Sequence, residues 1–379
     1  MKSMIIKRPP MGWNTWNTFG EKVNEKLILE CADAFVELGL PEFGYEYLVI
    51  DDCWSERERD PQTDKLVASK EKFPNGMKYV GDYVHSKGLK FGMYSCDGVR
   101  TCADYPGSFD HEFLDAKTFA EWGVDFLKYD NCYKPSTTSG PLLYHRMGVA
   151  LEQCGRDILF SACNWGSDDV WSWIRSTGAH MYRSTGDIND SFQSYYDIAM
   201  SQKDKFAYSA PNCYNDIDML TVGMYGSGNV AKAGCTDAEY RQQFVLWCLY
   251  GAPLMLGCDI RKMNDTTLKL VTNRDLIAIN QDEACRPPVW QQHVWNEHLK
   301  CAFKHLADGT YAMAFFNFSG HDTTVPSMFE LFGIPNNSGL KAQLTDIDTG
   351  ECIGTFRDYA RITVPTHDVK IFKVKLVAG

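Results

Sequence analysis

Residues 125–133 read DFLKYDNCY: two apolar side chains, then a lysine, a tyrosine and an aspartate, then Asn131 and Cys132. Strand side chains alternate faces, so Lys128 and Asp130 share one face with Phe126 below and Cys132 above. Two charges inside an apolar run are costly to bury unless they pair or work. Further runs share the pattern of a short apolar strand with polar or acidic residues at its end: MGWNTW (11–16), YEYLVIDD (45–52), KFGMYS (90–95), DILFSACNW (157–165), MYRSTGD (181–187), KFAYSAP (205–211) and APLMLGCD (252–259). Amphipathic helical stretches separate several of them. NEKLILECADAFVELGL (24–40), FPNGMKYVGDYVHSKGL (73–89) and DAKTFAEWG (115–123) place apolar residues at helical spacing. TDAEYRQQFVLWCLYGAP opens with Thr236 and Glu239 in capping-box spacing and closes on Gly251. Eight strands alternating with helices predict a (β/α)8 barrel, with a doubly wound open sheet as the topological rival.

Near INQDEACRPPVW (279–290) the texture changes. Short β-rich pieces follow (HVWNEHLKCAFKHL, TYAMAFFNFSG, KAQLTDIDTG, ARITVPTHDVKIFKVKLV), with turn signals DGT, DTG and NNSG between them. The expectation is a barrel over residues 1–286 and an antiparallel β-sandwich over 287–379.

Composition narrows the function. The 379 residues carry a net charge of −11 with a pI near 5.3, which argues against nucleic acid and anionic membrane surfaces as partners. No run of about 18 apolar residues suggests a membrane-spanning helix. The N-terminal residues show no long apolar core with a small-residue cleavage site, so a cytoplasmic protein is expected. The 14 cysteines are scattered rather than spaced as a metal site, and most read as buried thiols. The nine histidines do not cluster, so a catalytic metal is not expected. Ten tryptophans suit either core packing or stacking on sugar rings; Trp13, Trp16, Trp54 and Trp165 lie at or near strand ends, where both roles fit.

Several putative strands end in acids: Asp51 and Asp52, Asp130, Asp187, and in YNDIDML Asp216 and Asp218. One such aspartate alone is most simply a helix N-cap. Four such ends converging on one barrel mouth point instead to paired-carboxylate chemistry, which glycoside hydrolysis requires. One carboxylate attacks, and Lys128 on the face of Asp130 would favour its ionised form. The partner supplies a proton, a role open to Asp187 in its glycine-flanked turn if it is partly buried beside another carboxylate. Arg183, four residues earlier, could bind a sugar hydroxyl. GSGNVA (226–231) superficially matches a dinucleotide-binding turn, but no acid follows about 20 residues on, and a close-packed loop is the simpler reading. Cys102 and Cys132 could meet over the site, as a disulfide or as two thiols.

In this order, MGWNTW, YLVIDDCW, KFGMYS, TCADYPGSF, GVDFLKYDNCY, R-x-x-x-D at 183–187, NDIDML and IAINQD resemble glycoside hydrolase family 27 over residues 9–285. The family is mostly α-galactosidases, retaining and cofactor-free, with α-N-acetylgalactosaminidases, β-L-arabinopyranosidases and isomaltodextranases as minorities. The resemblance implies that Asp130 is the nucleophile and Asp187 the acid/base, about 5–5.5 Å apart. It implies that Asp51 and Asp52 hold the O4 and O6 hydroxyls, Lys128 holds O3 and O4, and Arg183 helps bind O2. Trp13, Tyr94, Cys132, Asp218 and Met219 would line the pocket, with Cys163, Asn164 and Trp165 at the fifth strand end. The chain departs from the family in three places. C-E-W-[GP] reads CNWG, so Asn164 replaces the glutamate that binds the 2-hydroxyl, with Ser167 three residues on. W-N-D-P-D reads with Tyr214 and Ile217. Glu21 and Ala179 stand where eukaryotic members have cysteine partners for Cys53 and Cys163, as in an intracellular bacterial member. Because Asp51 is retained, α-galactosidase ranks first, α-N-acetylgalactosaminidase second and β-L-arabinopyranosidase third. The class-level alternative is a non-catalytic galactoside-binding barrel. The expected partner is an α-galactoside; a homo-oligomer is left open.

Overall fold

The computed structural model describes residues 6–293 and 296–379; residues 1–5 and 294–295, the latter inside the run HVWNEHLKCAFKHL, lie outside it. Eight parallel strands form one sheet: β1 (Met11–Asn14), β2 (Tyr47–Val49), β3 (Lys90–Cys96), β4 (Phe126–Asp130), β5 (Leu159–Cys163), β6 (Met181–Arg183), β7 (Tyr214–Asp216) and β8 (Leu254–Leu256). Their spatial order is β8-β1-β2-β3-β4-β5-β6-β7. A parallel bridge between Leu220 and Leu256 joins the two ends and closes the barrel. There the Leu220 amide donates to the Met255 carbonyl at 2.8 Å, and the Gly257 amide to the Leu220 carbonyl at 3.0 Å.

The seventh strand differs from the sequence expectation. Residues 205–208 form a short 3-10 turn, in which Phe206 stacks on Tyr250 with ring centroids 4.3 Å apart. The strand itself lies further on, at Tyr214–Asp216. Its period is too short to register in a run that is also acidic and asparagine-rich.

Strand alternation sorts the barrel residues into two layers. Inward-facing Tyr47, Val49, Phe126, Leu159, Met181, Tyr214, Met219 and Met255 pack together as the barrel's own filling. Outward-facing Leu48, Leu127, Phe160, Tyr182 and Leu254 join the larger core beneath the helices. At Gly12 a Cβ would stand 2.3 Å from the Tyr47 carbonyl oxygen, so the contact of β1 with β2 requires glycine. The helices begin and end as their caps dictate. Asn24 caps Glu25–Glu37 through the Leu27 amide. The capping box of Thr236 and Glu239 starts Asp237–Tyr250, which ends at Gly251 with φ 69°.

The C-terminal part is antiparallel. A six-stranded sheet runs in the order Val289–His293, Asn296–His305, Tyr311–Asn317, Asp368–Ala378, Leu340–Asp346, Cys352–Phe356. Thr323–Met328 pairs with Tyr359–Val364 as a second, two-stranded sheet. In Tyr311–Asn317, Met313 and Phe315 enter the sandwich core, while Ala312, Ala314 and Phe316 join the core shared with the barrel. One sheet therefore serves two interfaces, and the period of two separates them.

Candidate active site

The acids sit where strand geometry delivers them. β2 runs into Asp51 and Asp52, both 2% exposed. The Asp51 carboxylate accepts from Lys128 Nζ at 2.8 Å and from Asn14 Nδ2 at 2.7 Å, and its other oxygen accepts the Asp52 amide at 2.9 Å. Asp52 accepts the amides of Cys53 (2.7 Å) and Ala103 (3.1 Å). Burial pushes the Asp52 carboxyl up to about 6, against the pull of these hydrogen bonds.

β4 delivers Lys128 and Asp130 to the same face. Asp130 is 6% exposed and accepts from the Tyr94 hydroxyl at 2.9 Å and from the Asn131 amide at 3.0 Å. The ammonium of Lys128 pairs with Asp51 and reaches Asp130 only through space. Burial raises the Asp130 carboxyl above its ordinary range, and the charge of Lys128, the Asn131 amide and the Tyr94 hydroxyl only moderate that rise. Lys128 thus favours the ionised form of Asp130, as its place on the same strand face led one to expect, but burial outweighs it. Lys128 itself is disfavoured as a cation by burial, yet Asp51, Cys163 and Asp130 hold it above the ordinary lysine value.

β6 delivers Arg183, 4% exposed, whose Nη2 meets Asp187 Oδ1 at 2.8 Å and Asp218 Oδ2 at 2.6 Å. Asp218, at φ 82°, also accepts the amides of Ile188 and Met219, both at 2.7 Å. The Asp187 side chain is 76% exposed, not partly buried as the sequence reading required. Its neighbouring carboxylate is Asp218, reached through the shared guanidinium. Asp130 at depth and Asp187 at the rim line one cavity, together with Asp51, Asp52, Tyr94, Lys128, Trp165, Arg183, Asp218 and Met219. A small void below it, bordered by Cys163, Ser161 and Asp216, lies between this site and the barrel filling.

Three expected residues are placed differently. Trp13 is fully buried in the outer core, its indole N–H donating to the Cys258 carbonyl at 2.7 Å. Asn164 is fully buried, and neither its amide nitrogen nor its oxygen has a partner. It sits beside Gly140 at the start of a helix outside the barrel, and does not face the cavity. The inward position at this strand end belongs to Cys163, whose Sγ lies 3.9 Å from Arg183 Nη1. Cys132 is bonded to Cys102 as a disulfide, and of the two it is Cys102 that faces the cavity. Cys53 and Cys163 are free thiols.

Sequence reasoning passed over Asn17, Ile188 and Val230 and left Trp16 between core packing and sugar stacking; all four line the cavity. Trp16 carried a signal, being one of four tryptophans near strand ends; Trp54, by contrast, packs edge-on against Trp122 at 5.6 Å. Ile188 and Val230 carried none, since an apolar residue in a loop has no period to betray it. Asn14 was missed as the residue that fixes Asp51.

Comparison with known proteins agrees with this geometry. The Alpha galactosidase A family profile matches residues 8–282, and the Alpha galactosidase C-terminal beta sandwich domain matches residues 297–374. An alpha-galactosidase of Cyamopsis tetragonoloba is 43% identical over 337 residues, 88% of this chain and 79% of that protein. Alpha-galactosidase 2 of Arabidopsis thaliana is 47% identical over 285 residues, 75% of this chain and 69% of its own. The crystal structure of alpha-galactosidase I from Mortierella vinacea superposes with a TM-score of 0.90 at 31% identity, covering 99% of this chain and 98% of that one. The chain belongs to the α-galactosidase family, glycoside hydrolase family 27, and is a glycoside hydrolase of galactosidase type.

Proposed function

We propose that the protein is an exo-acting, retaining α-galactosidase that works by double displacement. The observation that carries this reading is one cavity with a deeply buried carboxylate, Asp130, on its floor and an exposed one, Asp187, at its rim. Asp130 attacks the anomeric carbon while the glycosidic C–O bond breaks, and the proton of Asp187 goes to the departing oxygen. A water then attacks the same carbon, Asp187 takes its proton, and the Asp130–sugar ester bond breaks. The anomeric configuration is inverted twice and so retained. The Tyr94 hydroxyl and the Asn131 amide fix the Asp130 carboxylate before the sugar arrives, so that little reorganisation accompanies attack. Asp51 and Asp52 are rigid hydroxyl acceptors for the O4 and O6 side, and Lys128 donates to the neighbouring hydroxyls. Arg183 and Cys163 lie where the 2-position substituent would fall, which takes that role from Asn164. Kinetics on the 4-nitrophenyl glycosides of α-galactose, α-N-acetylgalactosamine and β-L-arabinopyranose test the assignment. Turnover fastest on the α-galactoside supports it; turnover confined to either of the others, or to none, overturns it. The structure of an alpha-galactosidase from Saccharomyces cerevisiae with raffinose, to which this chain superposes with a TM-score of 0.89 at 28% identity, makes galactosyl oligosaccharides the natural substrates to try first.

A further inference from the structure

The GSGNVA stretch opens no helix and leads into a short strand instead; it forms a clamp beside Asp187. Residues 231–234 pair in parallel with Asp190–Ser191, and the Asp190 amide donates to the Val230 carbonyl at 3.0 Å. The Gly226 amide donates to Asp190 Oδ2 at 2.7 Å, and the Tyr240 hydroxyl donates to the same carboxylate at 2.8 Å. On the other side, the amides of Asn229 and Val230 both donate to the Asn17 carbonyl, at 2.8 and 3.1 Å. Gly228, at φ +98°, lies so close that a Cβ would stand 2.9 Å from that same oxygen. The loop is thus tied at once to the segment after β1 and to the turn that carries Asp187. Its Val230 side chain, half-buried, reaches the cavity, as do the adjacent Ile188 and the half-buried Trp16 and Trp165.

Depth orders the cavity chemically. The floor is polar and closed, with Asp51, Asp52, Tyr94 and Asp130 all 6% exposed or less. The rim carries Asp187, and the acid/base must stand at the glycosidic oxygen, so the leaving group lies on its side of the cavity. There the wall is hydrocarbon. We infer that Val230 and Ile188 form the leaving-group wall of the active site, selecting a neutral hexosyl leaving group whose C–H face packs on them. The inference rests on the galactosidase reading and adds which part of this chain sets the leaving group. Trp16 and Trp165 line the same cavity, and aromatic side chains suit a sugar ring better than a charged group.

The test compares kcat/KM on melibiose, which has a glucose leaving group, with kcat/KM on α-galactosyl fluoride, whose leaving group is a single ion and needs no wall. Both substrates share the galactosyl half and the deglycosylation step. In Val230→Ala the melibiose-to-fluoride ratio is expected to fall by at least about fourfold, the factor supplied by roughly one methylene of lost burial, and Val230→Trp, which fills the space the leaving group needs, is expected to lower it by at least as much. A loop that merely holds the Asp187 turn in place moves both substrates together and leaves the ratio as it was. A ratio that falls by less than that in both variants overturns the inference. A wild-type protein that cleaves neither substrate overturns the galactosidase reading itself, before any substitution is made.

Discussion

Two residues show how burial, rather than nearest neighbours, sets charge in this barrel. Lys128 is committed to Asp51 at 2.8 Å, so its effect on Asp130 is through space only. Removing that charge in Lys128→Met takes away the largest influence opposing burial and raises Asp130 further. The acid limb of the kcat/KM–pH profile is therefore expected to move to higher pH, which a substitution acting on packing alone would not do. Asp97 is the second case. It is fully buried after β3, neither carboxylate oxygen has a hydrogen-bond partner, and burial pushes it up to about 8. A folded-state value above the unfolded one means that the folded protein holds a proton the unfolded chain has released. Asp97 thus contributes stability that is fully present below its ordinary value of 3.8 and is lost as pH rises to about 8. Across that window each pH unit is worth about 1.4 kcal/mol. Denaturant melts from pH 5 to 8 are expected to show a shallower loss of stability in Asp97→Asn than in the wild type; equal slopes would contradict the assignment. That Asp51, Asp52, Asp130 and Asp187 gather at one cavity was legible in sequence because they follow strand ends. Their pairings were not, because a partner such as Asn14 is fixed by barrel register, which no local pattern encodes.

At the scale of elements, the end of β5 is where sequence and structure part. The family pattern aligns Asn164 with a sugar-binding glutamate, yet alternation from Ser161 sends Cys163 inward and Asn164 out. Asn164 is left with two buried polar atoms that no protein group pairs with, and each such group costs about 1–3 kcal/mol if left unsatisfied. Asn164→Leu, similar in volume and without polar atoms, is expected to melt at the same or a higher temperature and to leave the α-galactoside KM essentially unchanged. A large rise in KM would return Asn164 to the site. The strands with strong apolar runs, β2 to β6, could be read from the sequence. β7 could not, because three residues between asparagines and aspartates carry no alternation; it is a strand only because β6 presents an unpaired edge to it. The helix Asp237–Tyr250 was located by its caps, not by amphipathicity, since almost every one of its residues is buried between barrel and sandwich.

At the scale of the whole molecule, that same helix joins the two parts. Gln242, fully buried, donates from Nε2 to the carbonyls of Asn317 (2.9 Å) and Asp368 (2.8 Å) in the sandwich and accepts from Tyr195 (2.8 Å) in the barrel layer. Arg241 beside it pairs with Asp348 and Asp368. Gln242→Leu keeps the volume but strands those groups, at about 1–3 kcal/mol for each one left unsatisfied. It is expected to lower the thermal midpoint clearly while leaving kcat on the α-galactoside intact, because among the described residues no sandwich residue lines the cavity. Equal losses of stability and kcat would mean that the sandwich shapes the site. The proposed mechanism turns on a covalent bond between Asp130 and the sugar. Its most direct test is to trap the protein with a slow, fluorine-substituted α-galactosyl fluoride and map the adduct by mass spectrometry of its peptides. One sugar per chain is expected, esterified to Asp130 in KYDNC. A sugar on any other residue, or no adduct together with β-galactose as the first-formed product, would contradict it.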